Sequence, residues 1–117
     1  MALLTVYHLT TAECWERQRN NDTYQPDAFA GDGFVHCCSA DQLSGVASRY
    51  YKNTPGIVLL ELDTTKLEAE LVYENTVGGV EMFPHLYGTI NLDAIVGVQP
   101  CAVTASGDLI YADSATN

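Results

Sequence analysis

Ile57-Val58-Leu59-Leu60-Glu61-Leu62 is a mostly apolar run near the middle of the chain, and it decides how the rest can fold. Side chains alternate between the two faces of a β-strand, so consecutive apolar residues place apolar groups on both faces. We therefore predict a strand that is buried on both sides. The residues before it, Asn53-Thr54-Pro55-Gly56, are typical of a turn and separate the strand from a helix.

An amphipathic helix is predicted just before that turn. Its apolar residues recur at i, i+3, i+4, i+7 and i+8, which places them on one helix face; they are Leu43, Val46, Ala47, Tyr50 and Tyr51. Ser39-Ala40-Asp41-Gln42 before it has the form of a capping box, which satisfies free amide groups where a helix begins. The expected core consists of Leu43, Val46, Tyr50, Val58, Leu60 and Trp15.

A strand and another helix are predicted at the beginning of the chain. Leu3–Leu9 is apolar and β-branched enough for a strand, and Thr10-Thr11-Ala12-Glu13 is a second capping-box pattern. Ala12, Trp15 and Arg19 would share one face of the helix that follows, which we expect to end near 20–22.

Short strands and loops account for the rest. We predict a loop or short helical turn at 24–32, strands at 34–37, 71–74, 90–92 and 95–98, and a final hairpin that turns at 106–108. Strands outnumber helices, and both predicted helices lie in the first half. This arrangement favours an α+β fold over a doubly wound α/β sheet.

Length, charge and cysteine content narrow the class of protein. A chain of 117 residues is a typical single domain, so we expect one domain over 1–117. Fifteen acidic against five basic residues give a formal charge of −10, which disfavours nucleic acids and anionic membranes as partners. The four cysteines show no disulfide framework and the start of the chain does not resemble a signal peptide. We therefore expect a cytoplasmic protein, with a monomer favoured.

Three histidines are the main candidates for chemistry. His8 ends the first predicted strand, His36 lies on the strand after the loop, and His85 lies in Phe83-Pro84-His85-Leu86-Tyr87-Gly88. Burying an imidazole among apolar residues costs free energy unless it is paired, so His8 and His36 each need a polar partner. We predict that they face one shared cleft, with His85 at its rim or behind it. Separate structural roles for the histidines are the competing interpretation.

Metal binding and cysteine chemistry compete with this interpretation. His36-x-Cys38 would place two ligands on one side of a strand, but the spacing matches no known zinc pattern, so we expect no metal. A nucleophilic pair of a histidine with Cys37 or Cys38 stays open, although a buried cysteine is the commoner outcome.

Four other polar residues are candidates. Tyr24 precedes a proline in the loop and would stack on a flat ligand or fill the core. Ser39 is the predicted N-cap of the second helix, where partial positive charge favours an anionic ligand near His36. Glu74 and Glu81 flank Gly78-Gly79 and are either solvated or catalytic.

These blocks together resemble a known bacterial family, domain of unknown function 952. The resemblance rests on Tyr7-His8, Trp15, Tyr24-x-Pro26, Gly33-Phe34-Val35-His36, Gln42, the strand at 59–63, Glu74 and Phe83-Pro84-His85-Leu86-Tyr87-Gly88. It spans roughly residues 5–111, and the two motifs that contain His36 and His85 are its most specific parts.

The resemblance implies a fold similar to that of the ADP-ribosyltransferases, which bind NAD between two small packed sheets. It implies that His8 and His36 contact the ligand and that Tyr24 packs on the nicotinamide. The third catalytic group of many transferases is acidic; Glu81 and Glu74 are the two plausible carboxylates for it, and Glu81 is our candidate. Ser39, His85 and Tyr87 would complete the binding site. A departure from the pattern is Cys38, where relatives often have a small hydroxyl residue. The expected function is thus NAD binding or ADP-ribosyl transfer, with NAD as a candidate substrate; the alternative is a non-catalytic small-molecule-binding or interaction module.

Overall fold

Strands dominate the computed structural model, which describes residues 4–75 and 81–111. The strands are β1 (Thr5–Thr11), β2 (Thr23–Tyr24), β3 (Val35–His36), β4 (Thr54–Asp63), β5 (Glu70–Glu74), β6 (Phe83–Tyr87), β7 (Ile90–Asn91), β8 (Ile95–Val103) and β9 (Leu109–Tyr111). The helices are α1 (Ala12–Gln18), α2 (Phe29–Asp32) and α3 (Leu43–Tyr50). Among the described residues no helix is long and apolar enough to cross a membrane.

The strands form small antiparallel sheets. One has four strands in the order β1-β4-β8-β9, a second has three in the order β3-β6-β5, and β2 pairs with β7. Few helices and small antiparallel sheets confirm the predicted α+β class, and α1 and α3 are the two predicted helices. The short α2 falls in the stretch predicted as a loop or helical turn. β6 is a strand that the sequence did not predict, and the predicted Gly78-Gly79 loop lies outside the described residues.

β4 is the central element, and its two faces support two separate core clusters. Val58, Leu60 and Leu62 pack into the cluster that contains Trp15 of α1. Ile57 and Leu59 point to the opposite face and pack with residues of α3. The prediction of a strand buried on both faces is therefore confirmed, and its physical basis is the two-residue period of a strand.

Capping interactions mark the helix starts close to the predicted positions. Thr11 Oγ1 accepts a hydrogen bond from the Cys14 amide at 3.1 Å, so Thr11, and not Thr10, is the N-cap of α1. The Ser39 amide donates to Gln42 Oε1 at 3.0 Å, as a capping box requires. This second cap opens a 3-10 turn at Ala40–Gln42 that leads directly into α3.

The prediction that Tyr50 belongs to the core is wrong. Trp15, Leu43, Val58 and Leu60 are buried, whereas Val46 is half-buried and Tyr50 is 61% exposed. Tyr50 lies in the last turn of α3, and the space opposite it is a cavity instead of a sheet. Helical periodicity gives the direction of a side chain but not what lies opposite it.

Candidate functional site

β3 brings the three histidines together because it is an edge strand of the three-stranded sheet and the residues after it pair with β1 of the four-stranded sheet. After β3, Cys38 exchanges two backbone hydrogen bonds with Tyr7 of β1, at 2.7 and 2.8 Å. On its other side β3 pairs with β6, and in that register His36 lies directly opposite His85. The rings of His36 and His85 are 5.3 Å apart in a T-shaped arrangement. Tertiary pairing thus aligns His8, His36 and His85 across neighbouring strands.

His8 is a buried, neutral member of this group. Its Nδ1–H donates to the carbonyl oxygen of His36 at 2.6 Å, and His8 as a whole is only 6% exposed. Burial lowers the pKa of His8 to about 4, because the imidazolium would lose its hydration. At neutral pH, His8 therefore holds β1 against β3 as an uncharged group.

Tyr24 is a core residue with a polar anchor. It is fully buried, and its hydroxyl has one proton with two acceptors in reach, Thr10 Oγ1 at 2.7 Å and His8 Nε2 at 3.2 Å. Burial also raises the pKa of this hydroxyl. The ring has no exposed face for a flat ligand, so the predicted stacking on nicotinamide does not fit this position.

Three adjoining cavities surround His36 and are together called the His36 cleft. One of about 220 Å³ is lined by both His8 and His36, which is the shared space expected for these two residues. A second of about 380 Å³ includes Asp32, His36 and Tyr50. A third of about 50 Å³ is lined by His36, Arg49, Tyr50, Phe83 and His85. The structure thus brings the three histidines to one cleft, while their catalytic roles stay predictions.

Two of the histidines are held by carboxylates. His36 Nε2 donates to Asp32 Oδ2 at 2.9 Å, and both side chains are substantially exposed, at 55% and 41%. His85 is only 3% exposed and its Nδ1 donates to Glu74 Oε2 at 3.0 Å. Phe34 stacks on the His85 ring at 4.1 Å. Each imidazole is therefore fixed in orientation by a hydrogen bond at one nitrogen.

Glu74, and not Glu81, is the glutamate of this group. The Tyr87 hydroxyl also donates to Glu74 Oε2, and these two hydrogen bonds lower the pKa of the Glu74 carboxyl. The carboxylate in turn raises the pKa of Tyr87. Glu81 is exposed and accepts a hydrogen bond from Gln42 Nε2 at 3.1 Å. The pairing of β5 with β6 places Glu74, and not Glu81, beside His85. The catalytic assignment of Glu81 therefore does not fit the geometry.

Ser39 lies outside the His36 cleft, whereas Cys37 and Cys38 line it as buried thiols. Ser39 Oγ donates to Asp41 Oδ1 at 2.5 Å and lines none of the three cavities. Burial raises the pKa of Cys37, and it raises that of Cys38 to about 12. Neither thiol is ionised near neutral pH, so the structure does not support a nucleophilic cysteine–histidine pair.

Within 4–75 and 81–111, no three His, Cys, Asp or Glu residues are grouped so that they could hold a metal ion.

A model of one protein family matches residues 9–98, and its description is "Protein of unknown function (DUF952)". The chain belongs to this family. No curated protein matches it. Family membership confirms the resemblance inferred from the histidine motifs.

Solved structures show that the DUF952 fold recurs in a protein from Caulobacter crescentus, CC0527, studied by a structural genomics consortium. Its crystal structure is 21% identical, covers 91% of this chain and 93% of its own, and superposes with a TM-score of 0.79. A double mutant has 20% identity, the same coverage and a TM-score of 0.79. The solution NMR structure has 21% identity, 91% coverage of both chains and a TM-score of 0.75. None of the three is described as an ADP-ribosyltransferase, so the likeness to that fold gains no support here.

Three residues of this DUF952 site were missed by sequence reasoning. Asp32 was assigned to a simple turn, Arg49 was counted only as a scattered base, and Tyr50 was placed in the core. A signal for Asp32 existed, because it stands four residues before His36 at the end of a short helix. No comparable signal points to Arg49, since its position depends on where α3 packs.

Proposed function

We propose that this DUF952 domain binds a nucleotide-like small molecule, with a flat ring and an anionic group, in the His36 cleft. The observation that carries the proposal is the lining of the cleft: His36, Arg49 and Tyr50 border adjoining cavities of about 50 and 380 Å³, and all three side chains are exposed. Ligand sites are typically concave, largely apolar and equipped with a few convergent polar groups.

Charge in the cleft favours an anion. The Arg49 guanidinium lies 5.9 Å from the centre of the Tyr50 ring, at the mouth of the cavity that His36 and His85 also line. Guanidinium groups pair with phosphate through several hydrogen bonds, and they do so even on a protein with net negative charge because the pairing is local. The Asp32 carboxylate is already engaged by His36. Arg49 therefore forms the anion-binding end of the proposed site, beside the His36–Asp32 pair.

Aromatic residues form the other end of the proposed ligand site. Tyr50 is 61% exposed and, with Tyr51, lines the cavity of about 380 Å³, so we place a purine or pyridine ring of the ligand against these two residues. Stacking on an exposed tyrosine stabilises a flat ligand with little loss of side-chain entropy. NAD, ADP-ribose and simple nucleotides all combine such a ring with phosphate.

ADP-ribosyl transfer is the second candidate function, and the geometry favours it less. It requires a carboxylate that orients the attacked sugar beside the ligand-binding histidines. In the described part of the chain, Glu81 bonds to Gln42 and Glu74 reaches only His85 among the histidines. The expectation of NAD as a substrate came from the likeness to the ADP-ribosyltransferase fold, whereas ligand binding follows from the cleft itself.

A thermal-shift titration tests the binding proposal. NAD, ADP-ribose, ATP and AMP are added to the protein, and a ligand at 100 times its Kd stabilises the fold by about 2.7 kcal/mol, which is on the order of 10 °C in Tm. Arg49→Met should abolish the shift, whereas Arg19→Met, at an exposed arginine that pairs with Glu16, should preserve it. No shift with any of the four ligands, or equal shifts in both variants, would contradict the proposal.

Cellular context completes the proposal. We expect a cytoplasmic protein, because the four cysteines are buried and unpaired, as in reducing compartments. We also expect a monomer. Nucleic acid is not an expected partner, since the charge of −10 repels a phosphate backbone while Arg49 suits a single small anion.

A further inference from the structure

His36 and His85 form a pair of carboxylate-held imidazoles at one end of the cleft. Asp32 binds one nitrogen of His36 at 2.9 Å, and Glu74 binds one nitrogen of His85 at 3.0 Å. The two rings are 5.3 Å apart because their residues are directly opposed between β3 and β6. Neither contact is needed to explain ligand binding.

The hydrogen bonds decide which nitrogen of each ring is available. An ionised carboxylate can only accept, so Nδ1 of His85 carries the proton and its Nε2 has a lone pair. His85 lines the cavity of about 50 Å³ whereas Glu74 does not, which places Glu74 behind the ring and away from the cavity. A carboxylate in this position orients an imidazole and stabilises the imidazolium that forms when it takes a proton. For His36 the nitrogen left over is Nδ1, because Asp32 holds Nε2.

We propose that the two histidines catalyse hydrolysis of a phosphoester bound in the cleft, with His85 as the general base and His36 as the general acid. This inference rests on the proposed binding of a phosphate-containing ligand beside Arg49. His85 Nε2 takes a proton from a water molecule, and the water oxygen bonds to phosphorus. The ester P–O bond breaks, and the leaving alkoxide takes the Nδ1 proton of His36, which acts as an imidazolium with protons on both ring nitrogens and its charge balanced by Asp32. The products are a phosphate and an alcohol. Arg49 pairs with the phosphoryl oxygens.

The neighbouring thiols are not suited to act as the nucleophile in place of water. Cys37 lines the same cavity, but its Sγ donates to the Val35 carbonyl oxygen at 3.8 Å and burial raises its pKa. A protonated thiol is a poor nucleophile, so a covalent cysteine intermediate is not part of the step. Glu74 is then a positioning residue that acts through His85.

Hydrolysis of p-nitrophenyl phosphate and bis(p-nitrophenyl) phosphate tests the proposal. His85→Gln should lower kcat by ~100-fold or more, the usual contribution of a general base. Glu74→Gln should lower kcat while KM changes little. Glu70→Gln is the matched control, since it removes the same charge from an exposed residue of β5, and it should leave kcat unchanged.

A spectroscopic measurement separates positioning from folding. Long-range ¹H–¹⁵N NMR correlations of the imidazoles should show the Nδ1–H form of His85 in the wild type and a loss of this preference in Glu74→Gln. An unchanged tautomer in that variant would overturn the role of Glu74.

The outcomes also distinguish this proposal from ligand binding. A nucleotide-induced thermal shift without hydrolysis of either ester overturns the catalytic proposal and leaves binding intact. If neither a thermal shift nor hydrolysis is observed, the binding proposal and the catalytic proposal are both overturned. Hydrolysis that appears only with added divalent metal, and disappears with a chelator, would overturn acid–base catalysis by the histidine pair alone.

Discussion

Acidification should destabilise this protein in the pH range over which His8 takes up a proton on unfolding. Its pKa is near 6.5 in an unfolded chain and about 4 in the fold, where burial disfavours the charged ring. Between these values the unfolded state binds more protons, so stability falls as the pH falls and is fully retained above 6.5. The loss from this group grows as the pH falls below 6.5 and reaches roughly 3 kcal/mol below pH 4, at about 1.36 kcal/mol per unit of pKa.

Urea denaturation at pH 7.5, 6.5, 5.5 and 4.5 measures this slope. The pKa values of Asp63 and Glu74 are lowered in the fold, so these carboxylates contribute mainly below the chosen range. His8→Gln keeps a hydrogen-bonding side chain that does not titrate, and we expect a flatter pH dependence from a lower stability at pH 7.5.

Two results would refute the reasoning about His8. One is a wild-type stability that stays constant from pH 7.5 to 4.5. The other is an equal slope in His8→Gln, which would assign the effect to other groups. If His8→Gln does not fold, an NMR pH titration of the wild type replaces it: the His8 ring should remain neutral at pH 5.5, where an exposed imidazole is mostly protonated.

Three further predictions concern the core, the buried network and the partners. Leu60→Ala should lower the free energy of unfolding by roughly 2–5 kcal/mol, because it removes a fully buried side chain. Val98→Ala, at the exposed partner of Leu60 on β8, should change the free energy of unfolding little. Equal denaturation midpoints in the two variants would show that β4 is not central. Tyr24→Phe should cost about 1–3 kcal/mol because Thr10 and His8 lose a partner, and exposed Tyr73→Phe should cost almost nothing in the same urea titration. Gel-shift assays with tRNA or duplex DNA at physiological salt should show no complex at micromolar protein, and a complex below that concentration would contradict the charge argument.

Local sequence patterns were reliable where neighbours along the chain decide the outcome. The strand at 57–62 and the helix that starts at Leu43 follow from periods of two and 3.6 residues, and the cap formed by Ser39 and Gln42 spans a single turn. The histidine motifs were also sufficient to indicate the family and to predict one cleft for His8 and His36. The strand, the helix and the cap each depend on residues within a few positions of each other.

Contacts between distant segments were decided only by the tertiary structure. Glu74 and Glu81 look alike in the sequence, yet β5–β6 pairing places only Glu74 beside His85. Tyr50 has the helical spacing of a core residue, but the last turn of α3 faces a cavity. For Tyr24 the sequence left ligand stacking and core filling both open, and the structure buries it against His8. Strand order and register set these contacts, and they arise from the balance of many long-range packing interactions that no local pattern encodes.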